Sequence, residues 1–139
     1  MRYVYRALTL VGGHRAQRLM GAATLAGLAA TVLVGLLIVP PDAAQGDVQR
    51  LMYVHVPAAW VAFLSFGVVF VASAAYLKTG RIQWDRVAAA SAEIGVLFCA
   101  LTIVLGSLWG RPVWGTWWTW DPRLTTTAVL LLIYVGYLS

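Results

Sequence analysis

Five of the seven tryptophans in the 139-residue chain lie close together: Trp109, Trp114, Trp117, Trp118 and Trp120. Indole faces are large, rigid and apolar, and they stack on flat conjugated systems. An aromatic belt at a membrane–water boundary accounts for one or two tryptophans at a helix end, not for a cluster of this density. Gly110, Pro112, Gly115 and Pro122 interrupt the same stretch, which predicts a shaped loop over 109–123. Arg111 and Arg123 bracket the cluster, and guanidinium groups capture carboxylates in bidentate fashion. A flat apolar ligand with carboxylates at its edge satisfies both features, and haem is such a ligand. His55, just before Pro57, adds an imidazole, a standard axial ligand for haem iron. Alone it reads as a histidine bonding backbone groups at a helix entrance. On the same face as the tryptophan-rich loop, it reads as a metal ligand. Asp121 is expected to cap the following helix or to pair with Arg123 or Arg111, fixing the loop's shape without catalytic work.

These residues need elements to hold them, and the composition says in what solvent. Apolar residues make up 61% of the chain and charged residues 11%, with mean hydropathy +0.80. A soluble domain has about 45–50% apolar and about 25% charged residues. A chain this short cannot hide so much apolar surface in a water-soluble core. A soluble enzyme and a disordered chain are both excluded. Cys99 is the lone cysteine, so an internal disulfide, a CxxC pair, a cysteine zinc site and a CxxCH haem attachment are excluded too. It is expected as a small buried hydrophobe.

About 20 apolar residues cross the roughly 30 Å of bilayer hydrocarbon. The expected fold is all-α, a polytopic transmembrane helix bundle with three full spans, at about 19–39, 56–77 and 87–108, and a truncated fourth at 124–139. The fourth run reaches only about 24 Å, so the reading frame is expected to stop inside its own span. Residues 1–18 form a basic cytoplasmic or interfacial tail, and 19–139 the transmembrane domain. Glu93 is expected to snorkel or pair near the cytoplasmic end of its span. The net charge is +5, but its basic residues sit in short segments between apolar runs, so they report topology and not nucleic-acid binding. Arg2, Arg6, Arg15, Arg18, Lys78, Arg81 and Arg86 fall on one side, against Arg50, Arg111 and Arg123 on the other. The N-terminus is therefore expected in the cytoplasm, with His55 and the tryptophan-rich loop on the outer face. His14 then lies a bilayer away from His55, leaving His55 as the one candidate iron ligand.

The string Trp114-Gly-Thr-Trp-Trp-Thr-Trp-Asp-Pro-Arg-Leu-Thr125 resembles the "WWD" signature of haem-handling membrane proteins. Its ending, from Trp120, resembles the form found in the haem exporter protein C family of cytochrome c maturation. The run Arg50-Leu-Met-Tyr-Val-His-Val-Pro-Ala-Ala-Trp60 resembles that family's first outer loop and second helix. The resemblance implies six spans, a tryptophan-rich loop that cradles haem noncovalently at the outer face, and two outer histidines on the iron. The first matches His55; the second axial ligand falls beyond Ser139 and is absent from this chain. It also implies an ATP-binding subunit, a further membrane subunit and a small helper, which together load haem onto a periplasmic haem chaperone in the bacterial inner membrane. The chain has no Walker A pattern, consistent with ATP chemistry on another subunit. On this reading the protein is a transport and assembly subunit, not an enzyme. Two alternatives remain open. One is a cytochrome c haem-ligating synthase, whose relatives tend to continue with an acidic stretch where this chain has Arg123-Leu-Thr. The other is a non-haem membrane scaffold whose tryptophans form a belt.

Overall fold

The computed structural model describes residues 13–139, so most of the expected basic tail, with Arg2 and Arg6, lies outside the described residues. The regular structure of the described residues is helical, without strands. Helix α1, His14–Val32, continues as a π-helical segment over Leu33–Ile38 and stops before Pro40 and Pro41. The segment through Pro41 is one compact unit and residues 42–139 are another. The second unit holds a 3-10 turn at Asp47–Leu51 and helices α2 (Met52–Thr79), α3 (Ile82–Trp114) and α4 (Pro122–Leu138). His14–Ile38, Asp47–Thr79 and Ile82–Trp114 are each long and apolar enough to cross a membrane, whereas α4 is shorter.

Two helix boundaries differ from the sequence expectation. The span expected at about 56–77 places Pro57 at its start, yet α2 begins at Met52 and carries Pro57 inside. A proline this early deprives only the Tyr53 carbonyl of its helical donor, and the 3-10 turn ahead has already set the direction of the chain. Gly110 and Pro112 were expected to break the helix, yet α3 runs through both to Trp114. The loop expected at 109–123 therefore narrows to 115–121. The helix ends instead at Gly115, which takes φ 77° in the left-handed region and donates its N–H to the Arg111 carbonyl at 3.1 Å. The Arg111 guanidinium in turn donates to the Gly115 carbonyl. Its positive charge at the end of α3 also suits the helix dipole.

A tight turn at Gly80, with φ 64°, folds α3 back along α2. Their interface is built from small residues: Ala62, Ala72, Ala88, Ala92 and Cys99 are buried there with Val69 and Phe66. Small side chains let two backbones approach closely, which is how helices gain packing energy where lipid offers no hydrophobic drive. Cys99 is buried as expected. Glu93 lies on the exposed side of α3. Helix α4 lies along α3, and its Tyr134 stacks on Phe66 at 4.0 Å between ring centroids and 16° between planes.

Phe66 lies so close to Gly95 that a Cβ there would come within 2.5 Å of its ring. The ring cannot swing clear without leaving Tyr134. Gly95→Ala is expected to destabilise the bundle by about 1–3 kcal/mol, the usual cost of overpacking, despite the better helix propensity of alanine. Adding Phe66→Leu should recover part of that loss. Thermal unfolding in mild detergent reads both effects; a Gly95→Ala variant as stable as the parent contradicts this packing.

Candidate functional site

The α2–α3 register that sets Phe66 on Gly95 also sets His55 on Gly106, three turns further along both helices. A Cβ at Gly106 would lie 3.0 Å from His55 Cε1, so the imidazole occupies space that a side chain would fill. His55 Nδ1 is shut off from solvent and makes no hydrogen bond of ordinary geometry, although the Thr102 carbonyl lies near the ring. The buried Nδ1 lies on the α3 side, 3.6 Å from the same Cβ position, and the His55 side chain also borders an open side.

That open side is a cleft of about 440 Å³, within the range of small-molecule sites. Helix α2 contributes Met52, His55, Ala59 and Phe63. These follow one another at three- and four-residue steps and so form one stripe of the helix. Helix α3 contributes Thr102, Ile103, Gly106, Trp109 and Trp114; Trp118 comes from the loop, and Arg123, Leu124 and Thr127 from α4. The lining is mostly apolar. Trp109 and Trp114 meet edge to face at 5.0 Å and 86°. Trp118 Nε1 is buried without a partner. Arg123, 79% exposed along its side chain, is the cation at the cleft's edge.

Of the residues singled out in the sequence, the cleft gathers His55, Trp109, Trp114, Trp118 and Arg123. It does not gather Trp117, Trp120, Arg111 or Asp121. Trp117 is 56% and Trp120 83% exposed. Arg111 has its guanidinium on the Gly115 carbonyl and over the Trp117 ring, 6.0 Å from the centroid. The apolar stripe through His55 and the Gly106 seat complete the cleft beyond the residues singled out in the sequence. The helical spacing of Met52, Ala59 and Phe63 around His55 was the signal that could have found the stripe.

The loop that carries Trp118 is fastened by short polar side chains. The Trp118 amide donates to Thr116 Oγ1 at 3.4 Å, and that hydroxyl donates to the Trp118 carbonyl at 3.0 Å. Asp121 caps α4: its Oδ1 accepts from the Arg123 and Leu124 amides at 2.9 and 3.2 Å. Its Oδ2 accepts from the Thr119 hydroxyl at 2.8 Å, and Arg123 Nε stands 3.5 Å from Oδ1. Asp121 is thus both the cap and the ion-pair partner of Arg123. The Thr119 hydroxyl above all, joined by the Leu124 and Arg123 amides and the Arg123 charge, holds its carboxyl below the usual carboxylate range, against burial, which opposes the shift and outweighs either amide alone.

An all-helical, multi-pass membrane protein with an aromatic, histidine-bearing cleft is the class that fold and site define. The family model of heme exporter protein C matches residues 6–139, and the chain belongs to that family. It is 42% identical over 102 residues to "Heme exporter protein C" of Bradyrhizobium diazoefficiens, covering 73% of this chain and 39% of the relative. The protein of that name from Escherichia coli K12 is 42% identical over 100 residues, 72% of this chain and 41% of its own. A Marchantia polymorpha protein, "Putative cytochrome c biosynthesis ccmC-like mitochondrial protein", is 39% identical over 110 residues, 79% of this chain and 48% of its own. The chain spans about half or less of the length of these curated relatives.

The lowered carboxyl of Asp121 gives the loop a pH dependence of known sign. A group with a depressed folded pKa contributes stability in full above its unfolded value, about 3.9; that contribution is lost as pH falls through the folded value. Asp121→Asn keeps a capping oxygen but not the titration. Between pH 7 and pH 3 the parent should therefore lose more thermal stability than Asp121→Asn. Parallel losses in the two proteins contradict the capping role of the charge.

Proposed function

We propose that this chain holds haem noncovalently at the outer membrane–water face, as cargo for a periplasmic haem chaperone in cytochrome c maturation. The observation that carries this reading is the convergence of one histidine, three tryptophans and one arginine on a single cleft. The residues fit the cargo: an imidazole that lines the cleft with its Nδ1 buried, indole walls for a flat macrocycle, and a guanidinium at the edge for a carboxylate. Bound there, haem brings redox and ligand chemistry of its own; the chain supplies position and shelter.

His55 Nε2 is the iron ligand in this reading. Trp109, Trp114 and Trp118 flank the ring system and exclude water from one side. Arg123 takes a propionate, and its exposure lets it release the cargo. Arg111, Trp117 and Asp121 shape the loop without touching the cargo, and Trp120 lies outside the cleft. The second iron ligand implied by the family resemblance is not among the cleft residues. The chain acts as a transport and assembly subunit of the bacterial inner membrane, with its N-terminus cytoplasmic and the loop periplasmic. Its partners are the ATP-binding and membrane subunits of the export complex and membrane lipid. The lengths of α2 and α3 support the placing of the cleft. At 33 residues α3 is roughly 50 Å long, about 20 Å more than the hydrocarbon is thick. The cleft lies toward the α3 end that carries the tryptophans.

Haem titration of the purified chain in mild detergent, followed by the Soret band, tests the reading. His55→Ala should weaken binding at least tenfold, about 1.4 kcal/mol, and shift the band. Trp118→Leu should weaken it several-fold, and Trp120→Leu should leave it near the parent value. Loss of binding in Trp120→Leu as deep as in Trp118→Leu, or an unchanged spectrum in His55→Ala, contradicts it.

A further inference from the structure

The Trp109 indole N–H donates to Gln45 Oε1 at 2.9 Å, across 64 residues of chain. Gln45 stands in the short segment before α2, where the sequence offers no motif. Its backbone is fixed there. Asp42 Oδ1 accepts from the Ala44 and Gln45 amides at 2.9 and 2.8 Å, and Asp42 and Gly46 exchange backbone hydrogen bonds at 3.2 and 2.9 Å. The chain then runs through the Asp47–Leu51 turn, with Arg50 paired to Asp47 at 3.3 Å, directly into α2 and His55.

We infer that Gln45 is a positioning residue for the cleft: it fixes the orientation of the Trp109 indole and ties it to the segment that carries His55. An indole has two side-chain torsions, and a hydrogen bond at Nε1 distinguishes one face-and-edge arrangement from its flipped alternative. In the observed arrangement the ring also meets Trp114 edge to face. A flipped ring would strand a partly buried donor and present a different edge to the cleft. The turn at 42–46 holds the acceptor in place before any ligand arrives, so the aromatic wall is preorganised. This role rests on the haem reading above and names a residue outside the tryptophan and histidine set that acts on it.

The test uses the full chain, haem titration and the Soret band. Gln45→Leu removes the acceptor and should weaken haem binding about three- to tenfold, the effect of one lost hydrogen bond, with a changed Soret envelope. Gln45→Glu keeps an acceptor at the same reach and should restore most of the affinity. In a Trp109→Phe background, which has no N–H to hold, Gln45→Leu should add nothing. A Gln45→Leu variant that binds like the parent overturns the inference. So does a full additional loss in the Trp109→Phe background, because Gln45 would then act elsewhere. A parent chain with no Soret band at all contradicts the haem reading itself and removes this role with it, an outcome distinct from the other two.

Discussion

The close approach of α2 and α3 is the constraint on which the rest depends. Alanines and Gly95 along the seam let the two backbones come together, and the turn at Gly80 fixes their register. In a bilayer that contact is made of packing alone, so its geometry is strict. The same register, carried three turns along both helices, sets His55 on α3 at Gly106, which leaves room for its ring. A shift of one residue in either helix would move the imidazole onto a side chain and separate it from the tryptophans of the same helix end.

The cleft is a region where α2 and α4 flank α3 without closing over it. Phe66 and Tyr134, one from each flanking helix, stack together on the side nearer Gly80. Toward the other end of α3 its tryptophans and the 115–121 loop take over. That loop is short, and its threonines and Asp121 bond locally: Thr116 serves Trp118, and Thr119 and Asp121 serve the start of α4. A loop fastened in this way can present an indole at low entropic cost.

Much of this was legible in the residues. Uninterrupted apolar runs announced membrane helices, because in hydrocarbon a spanning segment must satisfy its own backbone. The tryptophan cluster and His55 pointed to one end of the bundle, where the cleft gathers His55 and three of the tryptophans. The helix boundaries were less legible. Pro57, Gly110 and Pro112 are local signals against helix, yet each is tolerated near a helix end, where at most one hydrogen bond is lost. The division of the tryptophans was not legible at all. Trp117 and Trp118 are adjacent in sequence, and only the path of the loop decides that Trp118 enters the cleft while Trp117 meets Arg111. Gln45 was silent for the same reason: a hydrogen bond across 64 residues leaves no local pattern.

The haem reading turns on the His55 imidazole, seated on Gly106, as the iron ligand of this cleft. Imidazole rescue of a His55→Gly variant tests it most directly. The variant leaves a hole the size of the lost ring and keeps every other contact. The expected result is a weakened, shifted Soret band that returns to the parent position when free imidazole is added. A variant that keeps the parent spectrum without imidazole, or one that remains folded and takes up haem yet ignores imidazole, would contradict the claim.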